Sequence, residues 1–308
     1  MSISDRASNT SPLDVRAALR EGMARLRAAH VPSHTLATEL LLLHALGRDR
    51  TWLYTHPEAP LDLADAEKYF ALIERRAAGE PTQYLTGKQE FWGLEFEVTP
   101  AVLIPRPETE HLMEVALARL GPRGFILHLN SGLPREKLRV ADVGTGSGCL
   151  AVALAGELPH AEVFAMDISG AALEVARRNA TRHHVADRIH FLQADLLEAL
   201  KQEAQSFDLI VSNPPYVARK DAPQLQREVR DHEPQAALFG GPSGVEIYAR
   251  LIEEAGKLLR PGGILVLELG YNSAEHVRAI LKEQKCWTNV TFTNDLAGIP
   301  RVTAADLI

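Results

Sequence analysis

From residue 138 onward, short apolar runs alternate with longer amphipathic stretches. The runs at 138–143, 161–166, 188–192, 207–212 and 263–269 are the length of strands and nearly continuous in hydrophobicity, as strands buried on both faces are. Between them, 147–157, 170–183, 244–259 and 273–284 repeat apolar residues at helical spacing and predict helices. Strand and helix in alternation predict an α/β fold, a doubly wound and mostly parallel sheet with right-handed crossovers. Two last apolar stretches, Asn289–Thr293 and Arg301–Leu307, are read as a hairpin completing the sheet edge.

The first 85 residues carry a different pattern. Val15, Leu19, Met23 and Leu26 recur at helical spacing behind Ser11-Pro12, a cap and first-turn pair. A second helix is expected from a Ser33 cap through Leu40–Leu43 to Gly47, and a third over Ala64–Ala78, ended by Gly79. Residues 1–85 therefore read as a helical domain. Phe91 to Val98 alternates around Gly93 as a β-hairpin does. That makes 86–106 a hairpin linker to a third region, 107–308. Thr109 or Glu108 is expected to open the helix after Pro107, and Gly121–Lys137 reads as a mobile loop.

Composition narrows the class. With 46% apolar and 24% charged residues, the 308-residue chain is ordinary for a globular protein. No apolar run approaches the roughly 18 residues of a membrane span, and polar Met1–Ser11 lacks the core of a signal peptide. Two cysteines, Cys149 and Cys286, make neither a disulfide framework nor a metal site, so a cytoplasmic protein without metal is expected. The net charge of −7 argues against a dedicated nucleic-acid binder.

Candidate chemistry gathers at strand ends. The run ending at Ser212 stops at Asn213-Pro214-Pro215-Tyr216, where two prolines forbid further ladder bonding. Asn213 is thus held at a strand's carboxyl end, where open α/β sheets bind ligands. Asn213, the Pro214 carbonyl and a Tyr216 wall suit a planar group bearing an NH2, whose two N–H protons two acceptors would take. Upstream, Gly144-Thr145-Gly146-Ser147-Gly148 follows the first strand and opens a helix. Position 149 is Cys, so the spacing departs from the dinucleotide fingerprint, and no Walker loop is present. Asp167 ends the second strand 23 residues after Gly144, where an acid meets ribose hydroxyls in such folds. Asp195 closes the third strand in the same register.

With these residues in view, the sequence resembles the class I S-adenosylmethionine-dependent methyltransferases. Within them it is similar to the glutamine methyltransferases of peptide chain release factors (the HemK/PrmC family). The carriers are Gly79 to Gly87, Leu103-Ile104-Pro105-Arg106-Pro107-Glu108-Thr109-Glu110, the glycine loop, Ser212 to Tyr216, Glu228 to Pro234, and Asp295-Leu296-Ala297-Gly298. The resemblance implies a Rossmann-like sheet of seven strands. It also implies that Gly144, Thr145, Gly146, Ser147, Gly148 and Asp167 hold S-adenosylmethionine, with Asp195 and Leu196 along the adenine and Asn213 also at the cofactor. Asn213, Pro214, Pro215 and Tyr216 would hold a glutamine side chain, with Arg106 and Glu108 as further substrate contacts or a surface ion pair. S-adenosylhomocysteine would be the product and a release factor the partner. A monomer is expected, with neither nucleic acid nor membrane required. Three rival readings stand beside this one. They are a glutamine methyltransferase of a large-subunit ribosomal protein, a DNA or RNA amino-methyltransferase, and a cofactor-binding module without catalysis.

Overall fold

The computed structural model describes residues 13–121 and 138–308, which divide into two compact units, Met1–Thr86 and Gly87–Ile308. Ser11-Pro12 and the loop read over 122–137 lie outside the described residues.

The first unit is helical: Val15–Ala28, His34–Leu46, Arg50–Thr55, Leu63–Ala77 and Thr82–Thr86. Aspartates, rather than serines, cap three of these helices. Asp14, Asp49 and Asp62 each accept from a backbone N–H three residues on, at 2.7 Å. Ser33 occupies the position before the second helix but sits at φ 50° and makes no cap bond. Leu26, Leu41, Leu42, Tyr69 and Ile73 form the core. Gly22 sits mid-helix, where glycine normally costs stability. Tyr69 explains it: its hydroxyl donates to the Ala18 carbonyl at 3.3 Å, and a Cβ on Gly22 would collide with the Tyr69 hydroxyl oxygen.

The second unit opens with a hairpin, β1 (Lys88–Phe91) and β2 (Leu94–Glu97). Trp92 and Gly93 both have positive φ, the mirror-image turn that matches strand twist. Phe91 and Phe96 enter the core of this unit, so the hairpin read as a linker is packed structure here. After the helix Pro107–Leu120 comes a seven-stranded sheet. Its strands are β3 (Arg139–Val143), β4 (Glu162–Asp167), β5 (Ile189–Gln193), β6 (Phe207–Ser212), β9 (Leu259–Glu268), β10 (Trp287–Asn294) and β11 (Pro300–Leu307). They lie in the order β10-β11-β9-β6-β3-β4-β5. The five from β9 to β5 run parallel, while β11 is antiparallel to β9 and to β10. Two further short strands, β7 (Val217–Ala218) and β8 (Phe239–Gly241), pair parallel with each other.

Both faces of the central strands are covered, which is why those strands read as runs dominated by apolar residues. Along β3, Val140 faces a layer built on the helices Pro107–Leu120 and Cys149–Glu157. Its neighbour Ala141 faces the layer built on Glu246–Leu258 and Ala274–Gln284. Strand and helix boundaries fall within a few residues of expectation, β9 departing most because it begins at Leu259. Arg260, near the start of β9, pairs with buried Asp208. No helix among the described residues is long and apolar enough to cross a membrane.

Candidate active site

Strand pairing brings two loops side by side. Val143, the last residue of β3, is in register with Ser212, the last of β6. The Ser212 hydroxyl donates to the Val143 carbonyl at 2.6 Å. Gly144 and Asn213 therefore leave the sheet as neighbours, at the point where strand order reverses. A cavity of about 270 Å³ opens there, lined among others by Gly144, Gly146, Asp167, Asp195, Leu196, Asn213 and Pro215. Its size is near the lower bound of roughly 300 Å³ for small-molecule sites.

The glycine loop is held from beneath by two carboxylates. Asp142, fully buried, accepts from the Thr145 hydroxyl at 2.6 Å and from the Ala151 N–H at 3.0 Å. Asp167 accepts from the N–H groups of Gly146 and Ser169, both at 2.9 Å. Burial pushes the Asp142 carboxyl up to about 7 and raises that of Asp167 as well. Gly144 and Gly146 have φ of 75° and 55°, and a Cβ on either would meet nothing within 4 Å. Bare backbone thus faces the cavity. Gly148 serves packing instead, since its Cβ would come within 3.0 Å of Ala176. Thr145, Ser147 and Gly148 are buried behind the loop rather than lining the cavity.

Some supports were not assigned from sequence. Asn179, buried in the helix Gly170–Arg182, donates to the carbonyls of Ser147 at 2.8 Å and Glu97 at 3.0 Å. Its Oδ1 accepts from the Glu97 N–H at 2.7 Å. One side chain thereby ties the hairpin to the glycine loop. On the far wall, Asp195 accepts from Arg250 at 2.8 Å, an exposed pair that adds little stability.

Asn213 enters a buried polar chain. Its Nδ2 donates to the Thr109 hydroxyl at 3.1 Å, and that hydroxyl donates to Glu268 Oε2 at 2.6 Å. Thr109 therefore does not cap its helix. Burial pushes Glu268 up to about 7. Pro214 is buried and Tyr216 half-buried, and neither lines the cavity. The Tyr216 ring packs over Gly270, where a Cβ would approach its Cδ2 to 2.7 Å.

Arg106 and Glu108 do not pair, contrary to the surface ion pair weighed above. Arg106 Nη2 instead meets Glu233 Oε1 at 2.5 Å, joining stretches 127 positions apart, while Glu108 is exposed. The Glu233 side chain is almost wholly buried, and this desolvation raises its pKa against the pull of Arg106. The folded state thus favours the protonated form, and this group's contribution to stability falls as pH rises through its folded pKa. Arg106→Ala is expected to cost about 3 kcal/mol in chemical denaturation, with a smaller loss at acidic pH, where Glu233 is neutral. An equal loss at all pH values would contradict the pairing.

Two family models match the chain: the PrmC N-terminal domain over residues 17–87 and a methyltransferase domain over 134–300. A release factor glutamine methyltransferase of Koribacter versatilis is 45% identical over 290 residues, covering 94% of this chain and 97% of that protein. The enzyme of the same name from Moorella thermoacetica is 42% identical over 94% of this chain and 97% of its own length. This chain belongs to the release factor glutamine methyltransferase family. Members are S-adenosylmethionine-dependent enzymes, and this one has that cofactor as its methyl donor. Among solved structures, the hMettl16 catalytic domain in complex with a 3'UTR hairpin superposes with a TM-score of 0.53 at 18% identity, covering 82% of this chain and 83% of that one. That likeness speaks for the class I methyltransferase fold alone.

The site's donor set fits the family's cofactor. Asp167 retains lone pairs on both oxygens after its two backbone bonds, as ribose hydroxyls require. Ile168, Ala194 and Leu196 supply an apolar wall for a base. Cys149, at the head of the following helix, is a buried thiol pushed up to about 12 and is inert.

Proposed function

We propose that this protein, a cytoplasmic monomer, methylates the side-chain amide nitrogen of the glutamine in the Gly-Gly-Gln motif of a peptide chain release factor. The observation that carries the reading is the meeting, in one cavity, of an open glycine loop and an asparagine whose amide nitrogen is already engaged. Residues 1–85 are assigned to docking the release factor and 107–308 to the chemistry, without nucleic acid or membrane.

Gly144, Gly146 and Asp167 would hold S-adenosylmethionine, with Thr145, Ser147 and Gly148 shaping the loop from behind and Asp195 and Leu196 beside the adenine. When bound, the cofactor supplies an electrophilic methyl group on a sulfonium. A carboxamide nitrogen is a poor nucleophile because its lone pair is delocalised, so the protein's task is orientation. With Nδ2 given to Thr109, Asn213 has Oδ1 left to accept from the glutamine NH2, and the second N–H is assigned to the backbone carbonyl of Pro214, between cavity-lining Asn213 and Pro215. Two acceptors on the two N–H groups aim the nitrogen, and orientation of this kind supplies on the order of 7–11 kcal/mol. Pro215 and Tyr216 help exclude water.

Asp167→Ala is expected to weaken S-adenosylmethionine binding by roughly tenfold to a hundredfold, since charge-assisted hydrogen bonds are worth about 1.5–3 kcal/mol. Calorimetry checks it, and unchanged affinity would remove Asp167 from the site. The overall reading is tested by peptide mass mapping of a release factor after reaction. One methyl on the motif glutamine supports it, and a methyl on any other residue overturns it.

A further inference from the structure

We infer that Thr109 and Glu268 form a positioning relay that fixes which end of the Asn213 amide faces the acceptor glutamine. This rests on the function proposed above and adds two residues to it. Neither has a role in either candidate substrate or cofactor set.

A threonine hydroxyl owns one proton and can accept through its lone pairs. At 2.6 Å the Thr109 proton is committed to Glu268 Oε2, so toward Asn213 the hydroxyl can only accept. Asn213 must then present Nδ2 to Thr109, as the 3.1 Å contact has it, and turn Oδ1 away. Without the relay the amide is free to rotate by half a turn and offer its NH2 to a substrate that also bears an NH2. The three residues come from separate places: the helix Pro107–Leu120, the end of β9, and the loop after β6. Thr109 and Glu268 are both buried, which keeps water from substituting for either partner.

The relay also depends on Glu268 being an acceptor. A protonated Glu268 would donate to Thr109, freeing the hydroxyl proton to donate to Asn213 Oδ1 and reversing the amide. Several groups face this carboxylate. Glu108 on the same helix as Thr109 opposes its ionisation, as does burial, while Arg301 on β11, Thr109 and Tyr216 favour it. Tyr248, on the helix Glu246–Leu258, donates to the Glu268 backbone carbonyl at 2.9 Å, so the carboxylate is shared between the hydroxyls of Thr109 and Tyr216. With burial dominant, Glu268 titrates near neutrality, so the competent orientation is lost as pH falls through about 7.

The experiment compares wild type, Thr109→Val and Thr109→Ser in methyl transfer from S-adenosylmethionine to a release factor, with cofactor affinity measured by calorimetry. Thr109→Val keeps the shape and removes the hydroxyl. Its kcat should fall on the order of a hundredfold, the scale of a small misplacement of a reacting group, with cofactor Kd unchanged. Thr109→Ser should restore most of the activity. The wild-type kcat should decline as pH is lowered through about 7, and that decline should be absent in Thr109→Val. Should Thr109→Val lose cofactor binding through misfolding, Glu268→Gln decides. It keeps an acceptor oxygen and cannot be protonated, so the acid decline should disappear. Wild-type kcat in Thr109→Val, or an unaltered acid decline in Glu268→Gln, overturns the relay. Failure of wild type to methylate the release factor at all overturns the proposed function, and the relay with it.

Discussion

A release factor whose motif glutamine is replaced by glutamate is expected to accept methyl at least ~10⁴ times more slowly than the intact factor. The reason is the sign of the groups that meet the substrate. With Nδ2 of Asn213 engaged by Thr109, what remains for the substrate is a carbonyl oxygen; the Pro214 carbonyl, between cavity-lining Asn213 and Pro215, is the proposed second. Glutamine supplies two N–H protons to these two oxygens. Glutamate supplies none, and its ionised oxygens would lie against them. Sites built to bind N–H groups reject analogues lacking them more strongly than apolar pockets reject an extra methylene, because their buried polar groups are left unpartnered. Comparing kcat/KM for the two factors checks this. Rates within tenfold of each other would mean that the amide is not held by acceptors.

Asn213→Ala should lower kcat by roughly 10²–10³, the cost of losing one preorganised hydrogen-bonding group at a reacting centre. Cofactor affinity should stay close to wild type, because the glycine loop is held independently. Its supports are Asp142, Asp167 and Asn179, and Asn213 bonds to none of them. Alanine leaves the β6 end intact, since Ser212 rather than Asn213 anchors it to β3. Single-turnover rates and calorimetry separate the two effects. Near-normal turnover would remove Asn213 from the reaction, and a parallel loss of cofactor binding would assign it to the cofactor instead.

What the sequence made legible follows from the range of the interactions. The parallel strands were readable because burial on both faces leaves a continuous apolar run, and Asn213 because two prolines must end the strand there. The glycine loop and Asp167 were equally local, each fixed by its place at a strand's end. Helix starts were less so. Asp14, Asp49 and Asp62 do the capping, while Ser33, equally able in principle, takes a left-handed conformation and does not. The supports of the site were out of reach. Thr109 and Glu268 are 159 positions apart, and Arg106 and Glu233 are 127 apart. Nothing in local spacing pairs them, and the nearest opposite charge to Arg106, on Glu108, was the wrong partner. Asn179 reads in sequence as one polar residue inside a helix, and only the fold brings the hairpin and the glycine loop to either side of it.

The proposed reaction is methyl transfer to one amide nitrogen of a release factor. It is tested most directly with labelled S-adenosylmethionine and four acceptors side by side. These are an intact release factor, the same factor with its motif glutamine changed to alanine, large-subunit ribosomal proteins, and duplex DNA. Label on the intact factor alone is the predicted result. Label on DNA or ribosomal protein, or equal label on the alanine factor, would contradict it.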